Sequence, residues 1–309
     1  MVIQAAEQPQ ATAPPDEPLP GASAVTAQSR WPAILGALLT LAMVAGLARG
    51  IAGSGVQGLW QAMPANPLFY ITFVFVYVAL PVGDFIIFRR LWHIPVEGLA
   101  ALFKKRIANE IVIGYSGEAY FYAWAKARAR MVAAPFGAVK DVSILSAMAG
   151  NVITLALVVM ALPFVGEVLR PADFRLLAWS VAILVAISLP FLIFARRVFT
   201  LPRRSLWWIF GVHALRLVGG TILLALAWHF ALPTIAIGVW LMLCAARMLV
   251  SRLPLVPNKD LLFANFAIAL IGYDNGLSAL LAVTAGITLL IHAGLIAMFS
   301  LFSLIRNRV

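Results

Sequence analysis

Only 11% of the residues in this chain are charged, so charged groups clustered inside apolar sequence mark the places where chemistry could be done. The first cluster lies in KKRIANEIVIGYSGEAYFYAWAKARARM, residues 104–131. Asn109 and Glu110 stand in a short apolar run, a Gly114-Tyr115-Ser116-Gly117 turn follows, and Glu118 opens an alanine-rich segment. Broken backbone at membrane depth persists only where protein or water covers it, and transporters hold substrate at such breaks. Ser116 is expected to cap a helix beginning near Gly117. On that helix Glu118, Tyr122, Lys126 and Arg130 would share a face. Two readings stand side by side. One is a re-entrant hairpin that presents helix N–H groups to a polar headgroup. The other is an amphipathic helix lying on anionic lipid at the cytoplasmic surface. Glu118 would occupy the positive helix end itself, which argues against a naked anion site there.

The second cluster is His213 and Arg216, three residues apart within WWIFGVHALRLVGGTILLALAW. A guanidinium far from either end of an apolar helix costs several kcal/mol unless it faces the bundle interior or a wet cavity. It could meet a lipid phosphate or carboxylate, or pair with Glu110, Glu118 or Asp260. The plainer reading is a snorkelling or structural arginine.

The third cluster is RMLVSRLPLVPNKDLLFAN, residues 247–265, in which Arg247 and Arg252 precede a proline-interrupted turn and Asn258-Lys259-Asp260 opens a new apolar helix. It echoes the first cluster: basic residue, apolar run, turn, acid, aromatic-rich helix. Paired interruptions in two parts of a membrane chain point to a binding site between them. Asp84, about one turn before Arg89, is expected to pair with it near the interface. His229, His292 and Asp274 are isolated and read as structural. There is no phosphate-binding loop of the Walker type, no metal-ligand cluster and no nucleophile elbow, so neither a cofactor nor an enzymatic activity is expected.

The elements that must position these groups are membrane helices. Hydrophobic residues make up 63% of the 309 and the mean hydropathy is +0.96, far above a soluble domain. The expectation is an all-α, polytopic transmembrane bundle of 6–8 spans with two broken or re-entrant segments, 104–131 and 247–266. Apolar segments fall at about 31–48, 67–88, 143–165, 174–195, 206–230, 234–250, 261–273 and 277–304. Residues 1–30, rich in Ala, Pro, Gln and Ser, are expected to be a disordered tail, and 31–305 a single integral membrane domain. The single cysteine, Cys244, excludes an intramolecular disulfide. The net charge of +11 reports Lys and Arg concentrated in alternate connections, not a nucleic-acid surface. That bias puts both termini in the cytoplasm.

Asn109-Glu110-Ile-Val-Ile-Gly114-Tyr-Ser-Gly117-Glu118 and Pro254-Leu-Val-Pro257-Asn258-Lys259-Asp260 resemble two motifs of the membrane domain of lysylphosphatidylglycerol synthases and its stand-alone flippase-like relatives. Ile113 stands where those proteins usually have proline, and Asn258-Lys259 replace a glycine pair. The resemblance implies a bacterial inner-membrane protein that moves or accommodates a lipid without its own ATPase, with membrane lipids of anionic headgroup as partners. Asn109, Glu110, Ser116, Gly117, Glu118, His213, Arg216, Arg247, Arg252, Asn258 and Asp260 are then the candidate headgroup site. Two further classes stay open. One is a non-transporting scaffold for a lipid-modifying protein partner. The other is a membrane-embedded lipid or glycan-assembly enzyme using Glu110 or Glu118 as a base.

Overall fold

A computed structural model describes residues 63–111, 116–128, 135–164, 198–253, 256–271 and 276–306, with isolated helical positions at 41, 179, 182 and 186. The expected tail 1–30, the segment 31–48, most of 174–195, Gly114 and Pro254 lie outside the described residues. The described residues are helical, without strands. In chain order the helices are α1 (Pro67–Trp92), α2 (Gly98–Ile111), α3 (Ser116–Arg128), α4 (Pro135–Ala161, prolonged by the 3-10 turn Leu162–Phe164), α5 (Arg203–Ala231), α6 (Ile237–Ser251), α7 (Lys259–Ile271) and α8 (Gly276–Arg306).

Length divides them into two kinds. With 26, 27, 29 and 31 residues, α1, α4, α5 and α8 rise about 1.5 Å per residue and exceed a hydrocarbon core of about 30 Å. These four are long and apolar enough to cross a membrane. The other helices, α2, α3, α6 and α7, have only 14, 13, 15 and 13 residues and reach about 20 Å. The short helices lie where the sequence is broken by turns, and α6 and α7 match the two weaker apolar segments.

Local sequence explains the boundaries. Asn66 accepts a hydrogen bond from Leu68 N–H at 3.0 Å and Pro67 takes the first helical position, so α1 starts there. It ends at His93, which is left-handed with φ 53°. Arg89 and Arg90 in the last turn oppose the dipole, and Arg90 stacks 4.3 Å over the ring of Trp208. Apolar side chains such as Trp207, Leu215, Ile222 and Leu290 are exposed on the long helices, as lipid-facing surfaces require.

Helices α1 and α5 run past each other in opposite directions and share two cores. At one end Phe69 and Phe73 pack with Leu224, Trp228, Trp240, Leu261 and Phe263, which gathers α6, α7 and α8. At the other end Ile87 and Phe88 pack with Leu102, Phe121, Val142 and Ile209, which gathers α2, α3 and α4. A smaller cluster of Leu157, Ala161, Met242 and Met248 joins α4 to α6. Each short-helix pair is therefore fixed at a different end of the α1–α5 pair. The two pairs meet between those ends, where Asn258 N–H donates to Glu110 C=O at 2.6 Å.

Candidate functional site

That meeting point opens on a cavity of about 800 Å³ bounded by α1, α4, α5 and both short pairs. Lys105, Lys140, Arg216, Arg247, Arg252 and Lys259 line it as cations. Asp84, Glu110, Glu118 and Asp260 line it as anions. Among the candidates named from sequence, Asn109, Glu110, Glu118, Arg216, Arg247, Arg252 and Asp260 face this one space. Ser116, Gly117, His213 and Asn258 are bonded to the lining residues or their helices.

The first pair, α2–α3, is closed by its own polar groups. Asn109 Oδ1 accepts from Gly117 N–H at 2.7 Å, so Asn109 supplies the helix cap expected of Ser116. The Ser116 hydroxyl instead donates backwards to Ala108 C=O at 2.7 Å. A reversal this tight needs glycine, because a Cβ on Gly117 would lie 2.0 Å from the Lys105 carbonyl oxygen. Phe121 and Ala125 bury the inner face of α3, Glu118 and Tyr122 line the cavity, and Lys126 is exposed.

Charge in this pair is tied to the long helix α1. Lys105, only 4% exposed, donates to Asp84 at 2.8 Å and lies 3.5 Å from Glu118. Asp84 thus pairs into the bundle and not with Arg89. A buried ammonium is disfavoured, yet the attraction of Asp84 and then Glu118 outweighs burial and holds the Lys105 pKa above its ordinary value. Arg106 lies 4.0 Å over the ring of Tyr77, donates to the Tyr77 carbonyl and approaches Glu110 at 3.4 Å.

The second pair, α6–α7, is closed differently. Arg247 and Asp260 form an ion pair at 2.8 Å between its two helices. Lys259 Nζ donates to Ser251 C=O at 2.8 Å. Asn258, buried with φ 45°, makes the left-handed turn that a glycine would make more easily. Burial pushes the Glu110 carboxyl above the usual carboxylate range, Arg106 opposing and Asp260 adding to it. Packing strips part of the water from the half-buried Asp260 as well, but Arg247 overcomes that and holds its pKa below the ordinary value.

Arg216 meets none of its expected acids. Its Nη2 donates to Ser146 Oγ at 3.1 Å and lies 3.2 Å from His213 Nδ1. No carboxylate of the described residues is within 4.0 Å of it. Since arginine only donates, His213 accepts at Nδ1. Its stem fits because α1 carries glycine there: a Cβ on Gly83 would lie 2.7 Å from Arg216 Cδ. Gly150 of α4 makes the same allowance for Arg252, whose Nη1 would be 1.8 Å from a Cβ.

The candidate set read from sequence leaves out Lys105 and Lys259, although both lie in its charged clusters, and it overlooks Lys140, Ser143, Ser146 and the two glycine seats. An acid and a glycine adjacent in an apolar helix, Gly83-Asp84, were the available signal for a buried cation nearby. Behind α4, Asp141 accepts from Thr200 N–H at 2.7 Å and Leu201 N–H at 2.8 Å, fixing the approach to α5. The arrangement can surround a charged group of ligand with fixed charges while apolar helices enclose it. No protein-family model matches the chain, nor does any curated protein or solved structure.

Proposed function

We propose that this protein passes a lipid, or a lipid-linked intermediate, across the membrane by accommodating its headgroup in the cavity while the acyl chains stay in the bilayer. The observation that carries the reading is the cavity itself. Ten ionisable side chains line about 800 Å³ inside a bundle whose four long helices are apolar enough to span. The barrier to spontaneous crossing is the desolvation of a charged headgroup, several kcal/mol or more per ion. Fixed charges and hydroxyls along the path replace the lost water and lower that barrier. Cations exceed anions in the lining, so an anionic headgroup fits better than a cationic one. In this reading the short pairs are re-entrant hairpins. The bacterial inner membrane, with both termini cytoplasmic, is the setting favoured by the loop charges and by the lysylphosphatidylglycerol synthase resemblance.

The test is purified protein in liposomes with head-labelled anionic and zwitterionic lipids, followed for bilayer crossing. Lipid-selective crossing that is lost in Glu118→Gln and Arg216→Ala supports the reading. Folded protein that moves no lipid removes it and turns attention to a scaffold role and its partner.

A further inference from the structure

Three of the four carboxylates in the cavity lining hold a cation of the same lining. Lys105 lies 2.8 Å from Asp84 and 3.5 Å from Glu118, and Arg247 lies 2.8 Å from Asp260. Glu110 has instead Arg106, a residue of its own helix outside the lining, at 3.4 Å. Arg106 is largely committed elsewhere. Its Nη1 donates to the Tyr77 carbonyl and its guanidinium lies 4.0 Å over the Tyr77 ring. Its Nε, the atom that approaches Glu110, has no hydrogen-bond partner among the described residues. Glu110 is thus a carboxylate in loose contact with one distracted cation.

A second carboxylate is brought against it. The Asn258 N–H donates to the Glu110 carbonyl at 2.6 Å, which sets the first turn of α7, with Asp260, beside the end of α2. Charged and titratable groups bear on Glu110 from four elements: Tyr77 of α1, Arg106 of α2, Arg247 of α6, and Lys259 with Asp260 of α7. His292 of α8 stands behind them, within reach of Arg106 and Asp260. The two cations contributed by α6 and α7 have other partners, since Arg247 is held by Asp260 and Lys259 by the Ser251 carbonyl. Two neighbouring carboxylates do not both ionise cheaply, and the one without a firm cation takes the proton. With 23% of its side chain exposed, Glu110 is also open to proton exchange with water in the cavity.

We propose that Glu110 is a proton site linked to the cavity, taking up one proton when an anionic headgroup binds. The inference rests on the headgroup reading for the identity of the anion. Protonation removes one of the four negative charges of the lining and leaves its cations in place, so the anion is held more tightly. By reciprocity the anion raises the proton affinity of Glu110 by the same factor. The proton comes from water and returns to water, and the Glu110 O–H is the only bond made and broken. In the transport reading, headgroup and proton travel together.

Binding tests the linkage without transport. The full chain in phospholipid-free maltoside micelles is titrated calorimetrically with dihexanoyl phosphatidylglycerol, whose phosphodiester stays ionised, from acid to mildly alkaline pH and in two buffers of different ionisation enthalpy. Wild type should lose about tenfold in affinity as pH rises through the Glu110 range, and should take up protons as it binds there. Glu110→Gln, neutral like the protonated acid, should bind near the acid limit of wild type at every pH, with Tm establishing that it is folded. Asp260→Asn should keep the slope but displace it to lower pH, because Glu110 loses its neighbouring charge. His292→Asn should leave the slope where it is. A wild-type affinity indifferent to pH, no binding at any pH, a slope that survives in Glu110→Gln, or one abolished by Asp260→Asn or His292→Asn overturns the proposal. Binding that is indifferent to pH leaves the headgroup reading standing. Linked binding by a protein that moves no lipid in liposomes keeps the proton site and removes the transport reading.

Discussion

The two short-helix pairs look alike in outline but are fastened differently. The α2–α3 pair sends its buried charge outward: Lys105 reaches Asp84 on the long helix α1 as well as Glu118 on its own partner. Its turn is closed by a neutral carboxamide, Asn109, and by a glycine with no room for a side chain. The α6–α7 pair keeps its main ion pair, Arg247–Asp260, between its own helices. It turns through a left-handed asparagine. It touches the first pair through the Asn258–Glu110 backbone bond. One pair is pinned to the scaffold and the other chiefly to itself, so equal changes should not have equal effects.

The largest difference is expected from the buried lysine. Asp84→Ala strands the Lys105 ammonium with Glu118 at 3.5 Å as its nearest carboxylate, and should destabilise by about 3 kcal/mol or more. Thermal unfolding in detergent measures it, and restoration by Asp84→Glu but not by Asp84→Asn would tie the loss to charge. Next, Gly117→Val should cost about 1–3 kcal/mol by pressing on the Lys105 carbonyl. A neutral result would mean the α2–α3 turn is looser than its geometry. Asn109→Ala should then cost about 1 kcal/mol and Ser116→Ala less, since the first is the cap. The opposite order would return the capping role to Ser116.

The second pair should respond less. Arg247 and Asp260 are about a quarter exposed, so Asp260→Asn should cost only about 1 kcal/mol once solvent screening is allowed for. Its pH signature has a definite sign. The folded Asp260 pKa is lowered, so its contribution is present above the unfolded value of about 3.9 and lost as pH falls through the lower folded value. Unfolding scans across acid pH should show that loss in wild type and not in Asp260→Asn. Glu110 has the opposite sign: its folded pKa is raised, so it weakens the fold as pH rises from about 4.3 through the folded value. Glu110→Gln should flatten that slope, and this is the smallest effect of the series.

Much of the site is legible in the sequence. The two interrupted clusters each hold a pair of short helices, Gly98–Ile111 with Ser116–Arg128 and Ile237–Ser251 with Lys259–Ile271, and the candidates from both clusters do converge, because turns and charges in apolar sequence have few places to go. Asn109, Glu110 and Arg216 stand out for that reason. The partners of Arg216 do not: Glu110, Glu118 and Asp260 are plausible by charge, whereas Ser146 and His213 hold it by position. Arg89 is the partner that sequence suggests for Asp84, because proximity along a helix is all that sequence offers.

Sequence alone determined that the chain is helical and built around long apolar segments, and where those segments break. Hydropathy, helix length and turn chemistry are local properties and can be read residue by residue. Tertiary structure alone decided that Lys105 faces Asp84, that Gly83 and Gly150 make room for Arg216 and Arg252, and that Glu110 meets Asn258. Those contacts join residues distant along the chain. Their energies depend on burial and on the space left by a neighbouring helix, and both exist only after the helices have packed.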